Sequence, residues 1–159
     1  MYLNKTNLFL VISICLIFFF LTYFDVKSQE LKIVDGDTIH LNSEKIRFTG
    51  IDTPELKQTC IKDNEVIQCG IKAKELLIKR IGNSKVNCIK EGKDRYGRIL
   101  AECFIENVSL SRYLVRNGYA FAYRKYSQKF IPDEDFARMN KNGMWSMTFE
   151  FPWEYRKKN

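Results

Sequence analysis

Residues 31–52 read LKIVDGDTIHLNSEKIRFTGID, and this stretch decides the fold. Apolar residues cluster on both sides of residues 35–37, and an Asp-Gly pair between two such runs is a strong signal for a β-hairpin. A second turn at residues 42–44 leads into a third strand over residues 45–51. Pro54 then ends strand pairing, because proline has no backbone N–H to donate. The stretch therefore predicts three consecutive short strands.

The rest of the chain predicts two further strands and three helices. Residues 86–89 and 99–105 have the composition of strands and are joined by a polar, glycine-containing turn. Helical spacing of apolar residues, or acids suited to a first helical turn, marks residues 70–81, 108–117 and 132–142, and a glycine follows each segment. Five short strands with a helix after the third predict a five-stranded OB-fold barrel with three helices, an α+β fold.

The C-terminal segment is rich in aromatic side chains. We expect these residues to pack back on the barrel rather than to stack on nucleic-acid bases: Trp145, Phe149, Phe151, Trp153 and Tyr155. Stacking on single-stranded bases would call for basic residues between them. Residues 156–159 are expected to form a frayed basic tail.

Length and charge limit the classes of protein to consider. The chain of 159 residues has room for one domain of ordinary size, and 45% hydrophobic residues argue against disorder. Lys and Arg outnumber Asp and Glu by 26 to 19, which gives a net charge of +7. Such a charge suits a polyanionic partner, although it can equally serve only solubility.

An apolar run from Leu8 to Phe24 follows Lys5 near the N-terminus. A basic start before such a run is typical of an export signal or of a membrane anchor. Residues 1–28 are therefore predicted to be a signal peptide or anchor, and residues 29–159 the folded domain. Cleavage before Gln29 is slightly favoured. The domain is expected to be exported: secreted, periplasmic, or tethered on the extracytoplasmic side of the membrane.

Four cysteines remain in the predicted domain. An even number in an exported domain indicates disulfides, and four cysteines allow three pairings. Cys88 and Cys103 lie in strand-like runs on either side of a turn, and Cys60 and Cys69 close a short polar loop. We therefore predict the bonds Cys60–Cys69 and Cys88–Cys103. A zinc site is the alternative, but the spacing lacks a C-x-x-C pair.

Three acids and two arginines stand out as candidates for chemistry: Asp37, Asp52, Glu55, Arg47 and Arg98. Carboxylates from different strands can hold a hard cation, and a further carboxylate can orient or deprotonate a water molecule. An arginine presents a planar fork that binds phosphate in bidentate fashion. Each residue taken singly is better explained by a turn or a solvated strand position. Their co-occurrence in this order favours phosphodiester cleavage.

The same set of motifs resembles the thermonuclease family, the staphylococcal-nuclease-like domains. The matching segments are Val34–Thr38, Arg47–Glu55 and Asp94–Arg98, supported by residues 120–126, 143–145 and 152–154. The resemblance covers the chain from about residue 31 to the end. It implies a calcium-dependent endonuclease that cleaves DNA and RNA and leaves 3′-phosphate ends.

The resemblance also implies roles for individual residues. Asp37 and Asp52 would bind Ca²⁺ through their carboxylates, and Thr53 would bind it through its backbone carbonyl. Glu55 would position the attacking water and act as its base, or only orient it. Arg47 and Arg98 would hold the scissile phosphate, and Arg98 would also assist the leaving 5′ oxygen. Contacts to the nucleotide would come from Arg95, Tyr96, Tyr123 and Tyr126.

Two rival functions remain open at this point. The same barrel could serve as a non-catalytic module that only binds nucleic acid, although such a module would have no need of the carboxylates. A membrane-anchored structural protein with a basic surface would likewise make no use of clustered acids. The nuclease is the favoured function, acting as a monomer on DNA and RNA and meeting the membrane only through residues 1–28.

Overall fold

The computed structural model describes residues 29–159, so the predicted signal peptide or anchor at residues 1–28 lies outside the described residues. These residues form ten short strands, four α-helices and one 3-10 turn. The strands are β1 Leu31–Ile33, β2 Thr38–Leu41, β3 Glu44–Phe48, β4 Ile51–Asp52, β5 Cys60–Lys62, β6 Glu65–Ile67, β7 Val86–Lys93, β8 Ile99–Ile105, β9 Val108–Ser109 and β10 Phe121–Ala122. No helix within this part of the chain has the length and hydropathy that a membrane span requires.

The main sheet has the order β1-β2-β3-β8-β7, and β9 adds to β8. Strands β3 and β8 run parallel, while the other pairs are antiparallel, so the sheet is mixed. The expected five-stranded OB-fold barrel is confirmed only in part, because the path of hydrogen-bonded strands in the described residues ends at β1 and at β7. The described fold is an OB-like mixed sheet with helices, and its strands do not close into a barrel.

Gln29 joins the two ends of this open sheet. Its side-chain amide donates to the carbonyl of Val86 (2.7 Å) and accepts from the N–H of the same residue (2.8 Å). The side chain thus occupies the two bonding groups that a neighbouring strand would have used. A side-chain amide, not a strand pair, connects the start of the domain to β7.

The predicted third strand is interrupted at Gly50. Strand β3 stops at Phe48, and Gly50 has φ +72°, a conformation that side chains other than glycine rarely adopt. A Cβ at this position would also lie 3.1 Å from Ser127 and Phe130. The break turns residues 51–52 into a separate strand, β4, which pairs with β10.

The helices are α1 Cys69–Ile81, α2 Leu110–Arg116, α3 Ile131–Met139 and α4 Pro152–Lys158, with the 3-10 turn at Gly143–Ser146. The sequence predicted only three helices, so α4 corrects the expected frayed tail. Its residues suit a helix: Pro152 stands at the first position, Glu154 lies in the first turn, and three basic residues lie in the last.

Two hydrophobic clusters fill the interior. The larger lies between the main sheet and α1, α2 and α3, with Phe48, Leu77, Leu110, Leu114 and Phe130 among its buried members. The smaller surrounds Phe121 and includes the expected C-terminal aromatics Trp145, Phe149, Phe151 and Trp153. Their rings lie 5.1–6.2 Å from that of Phe121, so the prediction of packing is confirmed for these four of the five residues. We call Phe121 and these four residues the aromatic cluster.

The structure pairs the cysteines as predicted, Cys60 with Cys69 and Cys88 with Cys103. The second bond links residues directly opposite each other in β7 and β8. The first closes the β5–β6 hairpin, which the sequence had indicated as a loop. Asp63 and Asn64 both have positive φ at its tip, as two-residue hairpin turns require. All four cysteine sulfurs of residues 29–159 are in disulfides, which leaves no thiolate in this part of the chain for the alternative zinc site.

We expect reduction of the purified protein to lower its Tm. Loss of one native disulfide typically costs about 2–5 kcal/mol in a small secreted domain, because the unfolded chain gains freedom. Melting curves with and without dithiothreitol, followed by circular dichroism, measure the shift. A thiol titration of the unreduced, denatured protein provides the control. Free thiols at all four positions, together with an unshifted melt, would remove the disulfides from the account.

Candidate active site

Asp37 is positioned by the turn between β1 and β2. The N–H groups of Val34 and Asp35 both donate to the carbonyl of Thr38, at 2.9 and 3.3 Å, which closes the turn. Gly36 leaves little room there, because a Cβ would lie 3.0 Å from both Ala73 and Thr53. The turn therefore lies directly against α1 and the segment after β4. Asp37 follows it with only 1% of its surface exposed.

Arg47 of β3 bridges Asp37 and Asp52. Its Nη1 lies 2.5 Å from Asp37 Oδ1, and its Nη2 lies 2.8 Å from Asp52 Oδ1. Asp37 also accepts from the hydroxyl of Thr38 and from the N–H of Thr53, both at 3.1 Å. One guanidinium thus holds together two buried carboxylates that are separated by 15 positions in the sequence.

The Asp37 carboxyl is difficult to ionise in this environment. Burial raises its pKa to about 7, although Arg47 acts in the opposite direction. Asp35 and Asp52 add to the rise, since like charges disfavour ionisation. Such a group ionises more readily when a further cation is bound beside it. Buried acids with raised pKa values are typical of functional sites.

Glu55 lies in a loop that is fixed from three sides. Its N–H donates to Gln58 Oε1 (3.2 Å), and its carbonyl accepts from the N–H of Gln58 (2.7 Å). The fully buried Gln58 also donates to the carbonyl of Glu150 at 2.6 Å. Gly70 packs so closely that a Cβ there would lie 1.9 Å from the Glu55 carbonyl. Sequence reasoning missed Gln58 and Gly70, which hold this loop in place.

Arg156 of α4 completes the network, and sequence reasoning missed it as well. Its Nη2 lies 2.7 Å from Asp52 Oδ2, and its Nη1 lies 3.2 Å from Asp52 Oδ1 and 2.8 Å from Glu55 Oε1. Burial alone would lower the pKa of Arg156, but these hydrogen bonds outweigh it and raise the pKa. The basic residues at the C-terminus indicated a positive charge there, but their spacing did not indicate a contact with Asp52 and Glu55.

The donor set fits a hard cation. Asp37, Asp52 and Glu55 supply carboxylate oxygens, the ligands that Ca²⁺ prefers, and the backbone of Thr53 lies next to Asp37. Within residues 29–159 no three Asp, Glu, His or Cys side chains form a ready-made group for a metal ion. The oxygens of Asp37 and Asp52 are directed instead at the guanidinium groups of Arg47 and Arg156.

Arg98 belongs to a separate network at the tip of the β7–β8 hairpin. Its Nε donates to Asp94 Oδ2 (2.7 Å), and Asp94 also accepts from the backbone of Tyr96 (2.9 Å). Arg47 pairs with Leu100 in register, and Arg98 precedes Leu100 by two residues. Arg98 lies just outside β8, one residue before its first residue Ile99, close in sequence to the point where β8 pairs with the strand of Arg47.

The predicted nucleotide contacts fall into two groups. Arg95 donates to the Tyr96 hydroxyl (2.5 Å) and lies over its ring, and Tyr96 is 68% exposed. Tyr123 and Tyr126 form an edge-to-face pair with ring centroids 4.8 Å apart, just beyond the strand that pairs with Asp52. Trp153 of α4 lies parallel to the half-buried Tyr123 at 6.0 Å, so the tyrosine pair adjoins the aromatic cluster.

The structure thus brings five of the predicted residues into one hydrogen-bonded network: Asp37, Arg47, Asp52, Thr53 and Glu55. The hydrogen bonds of Arg95, Tyr96 and Arg98 lie within the β7–β8 hairpin. Tyr123 and Tyr126 contact each other. The network connects three carboxylates, two arginines and a backbone amide around one point. This arrangement can hold a cation and an oxyanion side by side.

Comparisons with known proteins show which family the chain resembles in sequence. The sequence model of the family described as Staphylococcal nuclease homologue matches residues 45–147. A thermonuclease of Staphylococcus hyicus is 31% identical, with 73% of this chain and 73% of the relative covered. An uncharacterized protein of Methanocaldococcus jannaschii is 33% identical over 73% of this chain and 70% of its own length.

The endonuclease YhcR of Bacillus subtilis is 34% identical over 79% of this chain, but the match covers only 12% of that longer protein. The chain thus spans most of two of these relatives and a small part of the third. The family match extends over more than half of the chain and includes Arg47, Asp52, Glu55 and Arg98. On these grounds the chain belongs to the family of staphylococcal nuclease homologues.

Proposed function

We propose that this protein is a calcium-dependent endonuclease that hydrolyses phosphodiester bonds of DNA and RNA and leaves 3′-phosphate ends. The observation that carries the proposal is the network in which Arg47 joins the buried carboxylates of Asp37 and Asp52, with Glu55 at its edge. The thermonuclease and endonuclease names of two relatives support a nuclease. The basic net charge of +7 supports a polyanionic substrate.

Asp37, Asp52 and the Thr53 carbonyl would hold the calcium ion. When bound, the ion supplies positive charge that neutralises the phosphoryl oxygens and orients the reacting groups. Burial keeps the pKa of Asp37 high in the absence of a cation, so the charge of the ion would favour ionisation of this carboxyl. The loop contacts of Gln58 and Gly70 keep Glu55 beside Asp52.

In the proposed reaction a water oxygen forms a bond to phosphorus and the bond from phosphorus to the 5′ oxygen breaks. Glu55 accepts the proton of the attacking water, which its position at the half-exposed edge of the site permits. Arg47 and Arg98 bind the phosphoryl oxygens and stabilise the charge that grows in the transition state. The leaving 5′ oxygen, assisted by Arg98, takes its proton from solvent. Arg95, Tyr96, Tyr123 and Tyr126 would bind the flanking nucleotides.

We place this activity outside the cytoplasm. The two disulfides support an oxidising compartment, and the apolar run at residues 8–24 supports export or anchoring. In this proposal residues 29–159 act as a monomeric domain. The protein contacts the membrane only through residues 1–28.

Removal of calcium should abolish cleavage. We would incubate the purified protein with single-stranded DNA in Ca²⁺ and in EGTA, with Mg²⁺ as a further control. We expect cleavage in Ca²⁺ alone, with products whose gel mobility shifts after treatment with a phosphatase that removes 3′-phosphates. A folded, calcium-loaded protein that binds DNA without cutting it would overturn this proposal. That result would favour a non-catalytic nucleic-acid-binding module.

A further inference from the structure

Arg156 holds Asp52, a carboxylate that the proposed calcium site would use, and also Glu55, the proposed base. We propose that Arg156 is the counter-ion of this site when no cation is bound, and that a divalent cation must displace its guanidinium. Arg156 would thereby set the affinity of the site for its metal. The inference rests on the proposed function, since it assumes that Asp52 binds the cation.

The geometry shows direct competition for the same atoms. The guanidinium of Arg156 contacts both oxygens of Asp52, at 2.7 and 3.2 Å, and Oε1 of Glu55 at 2.8 Å. A cation coordinated by Asp52 needs at least one of those oxygens. Asp52 is fully buried, and its oxygens already accept hydrogen bonds from Arg47 as well as from Arg156, so a divalent cation bound there adds strong repulsion. We expect one guanidinium to give up its contact with Asp52 when the cation binds.

The charge balance indicates which group leaves. With a divalent cation bound, which favours ionisation of the buried Asp37, three carboxylates would face the two guanidinium groups of Arg47 and Arg156: those of Asp37, Asp52 and Glu55. A divalent cation added to this cluster leaves it positive if both arginines stay, and neutral if one departs. Arg47 is 18% exposed and bridges two acids from inside the sheet, whereas Arg156 is 37% exposed at the edge. Arg156 can reach solvent with little change elsewhere.

The packing of α4 against the rest of the domain fixes the position from which Arg156 contacts Asp52 and Glu55. Trp153, one turn before Arg156, stacks on Phe151 at 4.6 Å within the aromatic cluster. Lys158 forms an ion pair with Glu150, and the carbonyl of Glu150 accepts from the buried Gln58 that also fixes the Glu55 loop. The helix and the loop that it contacts are therefore held by a common residue. They present Arg156 to the acids in a defined position.

The consequence is a measurable reduction in metal affinity. A protein whose binding-competent form is only a fraction of the population binds its ligand more weakly by that fraction. If the form with Arg156 released makes up about a tenth of the metal-free protein or less, removing this side chain should tighten calcium binding about tenfold or more. A side chain that merely stabilised the fold would weaken metal binding when removed.

Calorimetric titration of the purified protein with CaCl₂, in the absence of nucleic acid, tests the inference. We would compare the wild type with Arg156→Ala and with Lys157→Ala. The second variant removes the same charge from an exposed neighbour on the same helix. We expect the Kd for Ca²⁺ to fall about tenfold in Arg156→Ala and to stay unchanged in Lys157→Ala. The rise in Tm on adding Ca²⁺ should likewise be larger in Arg156→Ala.

The outcomes separate this inference from the proposed function. Equal affinities in the wild type and Arg156→Ala would overturn the counter-ion role and leave the calcium site intact. Equal tightening in both variants would reduce the effect to general charge and would also overturn it. Heat of binding in none of the three proteins, each with a cooperative melt, would overturn the calcium site and the inference together.

Discussion

Replacement of Glu55 by Gln should reduce cleavage by about 10²–10⁴-fold while the protein stays folded. The amide has the same shape as the carboxyl and can still accept a hydrogen bond from Arg156, but it cannot take a proton from water. The Glu55 side chain is 43% exposed, and its backbone is held by Gln58, so the substitution leaves the loop in place. Single-turnover cleavage of labelled single-stranded DNA in saturating Ca²⁺ measures the effect.

The matched control is Glu65→Gln in strand β6, which makes the same chemical change at an exposed position of the β5–β6 hairpin. This variant should cleave at the wild-type rate. Calcium titration and a thermal melt of Glu55→Gln establish that metal binding and the fold are retained. A rate within a few-fold of the wild type would remove Glu55 from the mechanism.

Replacement of Arg47 by Ala should destabilise the metal-free protein by about 3–5 kcal/mol, because it leaves two buried carboxylates without their common partner. Asp37 and Asp52 are 1% and 0% exposed, so water cannot replace the lost charge. Calcium should recover more stability in this variant than in the wild type, since the ion neutralises the same two groups. Urea unfolding with Ca²⁺ and with EGTA measures both effects.

Cleavage by Arg47→Ala should fall by about 10²-fold or more, since a donor to the transition state is lost. Arg47→Lys restores a charge but not the fork that reaches both acids, and we expect intermediate stability with low activity. Arg138→Ala is the control, because Arg138 is 63% exposed and pairs only with the exposed Asp135 among the bonds that the structure describes. Wild-type stability in metal-free Arg47→Ala would refute the bridging role.

Local chemistry explains why much of the fold could be predicted. The turn at residues 35–37 and the apolar spacing of α1 follow from neighbours in the sequence, and both appear in the structure. The two disulfides were also predictable, because Cys88 and Cys103 flank a turn and Cys60 and Cys69 close a short segment. Helix α4 was missed because its seven residues are stabilised by distant aromatic contacts rather than by their own periodicity.

The sequence by itself predicted which residues carry the chemistry, since the motifs with Asp37, Arg47, Asp52 and Glu55 specify residue types at fixed short separations. Only the tertiary structure decided how their charges are balanced. The pairing of β2 with β3 brings Arg47 to Asp37, and the packing of α4 brings Arg156 to Asp52 across 104 positions. A contact between residues so far apart in the sequence forms only when the whole domain has folded. For this reason no local pattern indicated the second arginine at the site.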